Sequence, residues 1–300
     1  MKKLLSICLA LLMMFSLVSC GVDTSNMKAP ADGTTASEDQ TAAQEDSAPE
    51  STGDVTIEET VLLEEAGVKI TAKSFDAGGV FGPEVKLLIE NESGQNLTVQ
   101  ADKTSVNGYM VDTMLSADVA SGKKANDSLT FARSDMDLNG ITTVADMEFS
   151  FHIFDSDSWD DYLNTDSITL TTSAAEGFSY SYDDSGSLLY DDNGVKLVAK
   201  GLAEEGSILG QCLILYIENT GDRDVTVQTD HASVNGFMVD PLFSRDVCAG
   251  KHAVAAVTIM SSELEDNAIE EITDVELTFH IFDSDSWDTI VDTDPVSVHF

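Results

Sequence analysis

Apolar and polar residues alternate with a period of two along most of this chain. Val85, Leu87 and Ile89 alternate with Lys86, Leu88 and Glu90. Met147, Phe149, Phe151 and Ile153 share one face of a second such run, and Glu148, Ser150, His152 and Phe154 share the other. This is the pattern of a strand with one face in a core and one in solvent. Further strands are predicted at 61–63, 68–72, 97–101, 109–111, 128–131 and 167–171. Turn residues separate them, among them Asn193-Gly194, a strong hairpin signal because both residues tolerate positive φ. A single helical piece stands out at 263–269, with Ser261 and Ser262 as predicted N-caps and acids in the first turn.

The pattern is written twice. Val106-Asn107-Gly108-Tyr109-Met110-Val111-Asp112 returns as Val234-Asn235-Gly236-Phe237-Met238-Val239-Asp240, 128 positions later. Ile89-Glu90-Asn91 returns as Ile217-Glu218-Asn219 at the same displacement, and so does the segment FHIFDSDSWD, at 151–160 and 279–288. Two copies of this length are tandem domains, not a solenoid of short repeats. The predicted boundaries are 56–173 and 183–300, with a linker at 174–182. Identity between the copies is uneven. Residues 85–102 and 213–230 agree at 8 of 18 positions, whereas the FHIFDSDSWD segment agrees at all ten.

The N-terminus differs from the rest. Lys2 and Lys3 precede an apolar stretch, 4–17, that is too short for a permanent membrane span and reads as a signal segment. Leu17-Val18-Ser19-Cys20-Gly21 follows and resembles the lipobox of bacterial lipoproteins. In that family the cysteine is acylated and becomes the first mature residue, so 1–19 is a predicted signal peptide and Cys20 a predicted lipid anchor. Residues 20–55 are rich in Ser, Thr, Ala, Asp and Glu without an aromatic residue, and are expected to be a disordered acidic tether.

Composition narrows the partners. The formal net charge is −39, from 54 acids and 15 bases. Phosphate backbones would be repelled, so nucleic acid is excluded as a partner. Of the four cysteines, Cys8 lies in the signal and Cys20 in the lipobox. The sequence leaves open whether Cys212 and Cys248 form a disulfide; Glu84 and Ala120 stand at those positions in the first copy.

Many short strands in two copies of slightly over a hundred residues predict an all-β chain: two tandem immunoglobulin-like antiparallel β-sandwiches, each with at most one short helix. Together, the lipobox, the acidic low-complexity segment and the tandem domains resemble uncharacterised surface lipoproteins of Gram-positive bacteria. The resemblance implies immunoglobulin-like sandwiches and a cell-membrane location facing outside the cytoplasm, and it supplies no known catalytic residues to carry over to this chain.

The run after Phe154 raises the functional question. Continuing the strand parity would drive Asp155 and Asp157 into the apolar core, so pairing is expected to stop or bulge near Asp155. Three readings fit. Asp155, Ser156, Asp157 and Ser158 can cap backbone in a turn, with the indole closing the end of the core. Asp155, Asp157 and Asp166, with Asp283, Asp285 and Asp294, fall at calcium-loop spacing, although Trp159 and Asp160 stand where an EF-hand has a ligand and a glycine. Trp159 and Trp287 can serve as exposed platforms for a sugar or a peptide.

No nucleophile elbow, phosphate loop, paired-cysteine motif or zinc-binding helix occurs. His152 and His280 fall on the polar strand face beside Glu148 and Glu276. The expectation is therefore a non-enzymatic, lipid-anchored protein that binds an unknown protein or glycan ligand. It touches the membrane through its lipid alone and requires no cofactor unless calcium occupies the acidic loops. The alternatives are an envelope spacer with calcium-stabilised loops and an enzyme with an unrecognised site. Replacing Cys20 by serine is expected to abolish acylation and release the chain from membranes. A Cys20→Ser chain that still sediments with membranes, with an acylated N-terminal peptide by mass, would overturn the lipid anchor.

Overall fold

A computed structural model of the protein describes residues 22–31 and 55–300. The predicted signal peptide and Cys20 lie outside these residues. The chain divides into two units: repeat 1 holds residues 55–183, and repeat 2 holds 184–300 together with 22–31. The first strand, β1 (Asp23–Lys28), belongs to repeat 2 and is described with it.

Repeat 1 is two antiparallel sheets. In one, β2 (Thr60–Glu65), β3 (Val68–Asp76), β4 (Glu84–Asn91), β9 (Lys123–Phe131) and β7 (Thr113–Met114) pair in that order. The other is built on β5 (Leu97–Val106) and β10 (Asp146–Asp155). Along the free edge of β5 lie β6 (Tyr109–Met110) and β8 (Ser116–Val119); along that of β10 lie β11 (Asp161–Asn164) and β12 (Ile168–Thr171). The alternating residues fill the interior: Val85, Leu87 and Ile89 are buried, as are Met147, Phe149, Phe151 and Ile153. Each such side chain contributes about 1.5–3 kcal/mol through loss of water contact.

Repeat 2 repeats this plan. Strands β13 (Ser187–Asp192), β14 (Val195–Glu205), β15 (Gly210–Asn219) and β19 (His252–Met260) form one sheet. The other is built on β16 (Val225–Val234) and β20 (Asp274–Asp283), edged by β17 (Phe237–Val239), β18 (Ser244–Val247), β21 (Thr289–Asp292) and β22 (Val296–His299). The chain is an all-β protein of two antiparallel sandwiches, as the alternation requires.

Repeated asparagines hold the sandwich corners. Asn91 is buried; its amide donates to the carbonyls of Gln95 (2.8 Å) and Val119 (2.7 Å), while its Oδ1 accepts from the Ser93 N–H. Asn219 does the same with Arg223, Val247 and Gly221. Asn107 and Asn235, at positive φ in their Asn-Gly turns, bind the backbone leading into β10 and β20. These bonds account for the retention of both motifs in both copies.

The structure corrects three expectations and answers the question left open for Cys212 and Cys248. The segment taken wholly as a tether contains β1, which pairs antiparallel with the second half of β14. Polar composition obscured it: an added strand gains backbone hydrogen bonds from a pre-existing edge and needs few apolar residues of its own. Gly201 admits it, since a Cβ there would lie 2.7 Å from the Lys28 carbonyl oxygen; repeat 1 has Ser74 at the matching place.

Residues of the expected linker are also packed. The Tyr180 ring meets Tyr109 edge-on at 5.2 Å and its hydroxyl donates to the Asn139 carbonyl, while the Tyr182 N–H donates to the Tyr109 hydroxyl at 2.9 Å.

Both repeats carry a short helix, α1 (Arg133–Leu138) and α2 (Ser261–Asp266). Ser261 and Ser262 lie inside α2 and not before it; Met260 is the N-cap residue, and no side chain caps the end. Six residues are too few for a visible helical period, so α1 escaped the pattern.

Cys212 and Cys248 are not joined. Asn219 donates to the carbonyl of Val247, which puts the neighbouring Cys248 at that end of β15. Cys212 lies seven residues back along the strand, roughly 23 Å at ~3.3 Å per residue. A disulfide needs Cα atoms within about 7 Å.

Burial, reinforced by Tyr109 and Tyr182, pushes the Tyr180 phenol up to about 12. A Cβ on Gly140, which sits at φ 64°, would lie 2.9 Å from the Tyr180 hydroxyl; repeat 2 has Ala268 at this position and no tyrosine over it. Gly140→Ala should therefore release the Tyr180 strap and return the phenol toward its ordinary value near 10. The check is NMR-detected titration of the tyrosine rings.

Candidate ligand platform at the strand exits

Strand β10 keeps its pairing with β5 as far as Asp155, opposite Leu97, while its β11 side breaks register between Ile153 and Phe154. The expected bulge is there. The chain then closes a tight turn. The Asp155 N–H donates to the Asp160 carbonyl (2.9 Å), and the Trp159 N–H to the Asp155 carbonyl (2.8 Å). The Asp155 Oδ1 turns back to accept the N–H groups of Asp157 (2.9 Å) and Ser158 (2.8 Å). In repeat 2 the Asp283 Oδ1 accepts from Asp285 (3.1 Å) and Ser286 (2.8 Å). The carboxylate that could not enter the core is satisfied by backbone donors at its rim.

The serines are equally engaged. The Ser156 N–H donates to the Asn96 carbonyl, and its hydroxyl lies 2.8 Å from the Thr98 hydroxyl, which donates to Asp118. Ser284, Thr226 and Asp246 repeat the set. The Ser158 hydroxyl accepts from the Asp160 N–H. Of the acidic side chains, that of Asp157 accepts from Asn96 in repeat 1 alone; position 224 is an aspartate.

Two features of the turn concern its tryptophan. Trp159 and Trp287 both have φ of 65°. For a bulky L-residue this left-handed conformation costs about 1–2 kcal/mol, and glycine is the residue that adopts it freely. Each indole then lies nearly parallel to a phenylalanine of the outer sheet face, Phe154 or Phe282, at 5.5 Å between centroids and 17° between planes. Both phenylalanines, which alternation had assigned to solvent, are buried; besides the indole, the ring of His152 or His280 lies against them, at 5.3 and 5.0 Å between centroids. The indoles themselves remain 68% and 60% exposed. One face of each ring is packed and the other is presented to water. Asp157, Asp160 and Asp161 are exposed around Trp159, as Asp285 and Asp288 are around Trp287.

The proposed calcium set is not drawn together. Thr165, next to Asp166, bonds to the Phe151 carbonyl, so Asp166 lies about five residues back along β10 from Asp155, roughly 16 Å at ~3.3 Å per residue. Asp294 stands in the same relation to Asp283, next to Thr293 on the Phe279 carbonyl. Among the described residues no group of three or more His, Cys, Asp or Glu side chains is arranged to hold a metal. The strand histidines bond to the neighbouring strand: His152 Nδ1 lies 2.6 Å from Asn164 and His280 Nδ1 2.5 Å from Asp292. Sequence reasoning missed Phe154 and Phe282; their aromatic identity at an outward position was the available signal.

The Ser158 and Asp157 N–H groups hold the Asp155 carboxyl below its ordinary value, and Asp283 is lowered chiefly by the Ser286 N–H. A carboxyl with a depressed folded pKa contributes stability above its unfolded value, about 3.9, and loses it as pH falls through the folded value. Asparagine at 155 or 283 keeps the acceptor without the charge. Such variants should be less stable than the parent at pH 7, and the gap should narrow below about pH 4. Urea unfolding at pH 7 and pH 3 tests this; a gap that stays constant would refute a charge-assisted turn.

No family model matches the chain. No curated protein matches it. Among solved structures it is similar to a YadV chaperone, at 11% identity over 72% of this chain and 92% of that one, with a TM-score of 0.23. A score this low does not bear on fold or function.

Proposed function

We propose that this chain is a lipid-anchored binding protein, displayed outside the cytoplasm, whose two sandwiches each present an indole platform for a surface glycan. The observation that carries the reading is the pair Trp159 and Trp287. Both are exposed, both are held at positive φ against backbone preference, and both expose one ring face in the same geometry. An exposed indole face offers a large rigid apolar contact at small conformational cost. The carboxylates beside it accept hydrogen bonds from hydroxyl or ammonium groups and repel anions, and an indole face also attracts cations. Neutral or amino-bearing sugar rings fit this chemistry. Two platforms on one chain make the second engagement with a polymeric ligand intramolecular, which raises avidity. A protein ligand is the second member of the same class of reading.

Glycine at 159 and 287 separates platform from turn. It relieves the left-handed strain and uncovers a phenylalanine, effects of about 1–2 kcal/mol each and opposite in sign. Stability should therefore change little. Retention on immobilised chitin, which carries no charge, is expected to drop at least about tenfold for either single variant, a difference of about 1.4 kcal/mol, and to vanish for the double variant. A double variant retained like the parent would overturn the platform reading. A parent that passes through both chitin and a neutral glucan would move the ligand to protein.

A further inference from the structure

Strand β1 ties the N-terminus to one pole of repeat 2. Lys28, Met27 and Asp23 pair in turn with Leu202, Ala203 and Glu205 of β14, and Val22 is buried. Cys20 is three residues before Asp23, so at most ~10 Å of chain separates it from this pairing. From Glu205 the chain turns through a loop whose tip, Ile208, is 82% exposed. The predicted lipid attachment site and this apolar tip thus flank the same pair of strands.

Other apolar residues gather at that pole. The Leu209 carbonyl accepts the N–H of Ser261, the first residue of α2. Glu263 of α2 accepts the Asp240 N–H at 2.8 Å, beside β17. On β17, Phe237 and Met238 are 48% and 66% exposed. Leu242, also exposed, pairs with Thr258, which lies opposite Cys212 near the start of β15. Among the described residues these four are the exposed large apolar side chains of repeat 2, apart from Leu188 and Trp287. In repeat 1 the residues matching Phe237 and Met238 are Tyr109 and Met110, both buried, with Tyr180 over Tyr109.

The turn bearing Trp287 is at the other end. Its Ser284 N–H donates to the Asp224 carbonyl, and Asn219 at the end of β15 binds the Arg223 carbonyl. From Gly210 to Asn219 the strand spans roughly 30 Å at ~3.3 Å per residue.

We propose that the pole carrying Ile208, Phe237 and Met238 sits in the headgroup region of the bilayer that holds the Cys20 lipid, with Trp287 directed outward at the opposite pole. This rests on the reading of Cys20 as acylated. The acyl chains supply the attachment; a chain of net charge −39 has no electrostatic attraction to a lipid surface. The apolar pole supplies orientation, because an interfacial position hides side chains that water otherwise surrounds.

The test is Ile208→Trp in a Trp159→Phe background, purified as the full chain from bacterial membranes and reconstituted into phosphatidylcholine vesicles with and without lipids brominated near the headgroup. Insertion to an interfacial depth of ~5–10 Å should let the bromolipid remove about half of the emission added by the Ile208→Trp substitution. Trp287, read in the Trp159→Phe parent, should be unaffected. An acylated chain with no quenching at position 208 overturns the proposal and leaves the apolar pole to a protein partner; quenching of Trp287 overturns the orientation. The mass of the N-terminal peptide shows acylation independently. A Cys20 without acyl chains overturns the anchor and this proposal together, while the glycan retention of the soluble chain remains a separate readout.

Discussion

A carboxylate cannot follow four alternating apolar side chains into a sandwich interior without donors to meet it. Phe149, Phe151 and Ile153 point into the core, and the next residue of that parity is Asp155. An unpaired buried charge is far more costly than a broken strand pairing. Strand β10 therefore ends there, and Asp155 converts from a core liability into the acceptor for two backbone N–H groups. That turn brings Trp159 into the left-handed region and lays its ring on Phe154. The platform is a consequence of where the strand is forced to stop.

Much of this was legible in strand parity. Alternation identified the core face of β10 and β20 and located the break near Asp155; departure from a strict calcium loop was legible in the identities of Trp159 and Asp160. What escaped had physical causes of two kinds. Short elements such as α1 lack room for a period. Added segments, β1 and the Tyr180 strap, draw their stability from an edge or surface made elsewhere in the chain, so their own composition resembles a linker. The burial of Phe154 belongs to this second kind, since the rings against it are the indole five residues later and the imidazole of His152.

The two copies share a framework and differ in what covers it. Gly201 accepts β1 where repeat 1 has Ser74; Gly140 accepts the Tyr180 hydroxyl where repeat 2 has Ala268. In both cases a missing Cβ marks the place where another piece of chain approaches. Loss of a single methyl-sized group is enough because the approaching atoms are within 3 Å of where it would be. The buried asparagine corners and the Asp-Ser turns keep the same backbone bonds in both repeats, and differ in the Asn96–Asp157 contact of repeat 1.

This division bears on how the proposed attachment and recognition would coexist in repeat 2. Its sheets run from the pole that receives β1 to the pole that carries the Trp287 turn, and paired strands are stiff along their length. A lipid on Cys20, as proposed, would sit three residues before β1 and act on the Trp287 turn through hydrogen-bonded sheet. A wholly flexible tether would leave the indole free to face any direction, including the membrane. With Cys20 acylated as proposed, the pairing of residues 23–28 with β14 would remove that freedom at repeat 2, and the apolar near pole would bias the remaining rotation the same way. The attachment continues past the end of β1, where the Ala31 N–H donates to the His299 carbonyl at 2.7 Å, so residues 22–31 move with repeat 2 as part of its frame.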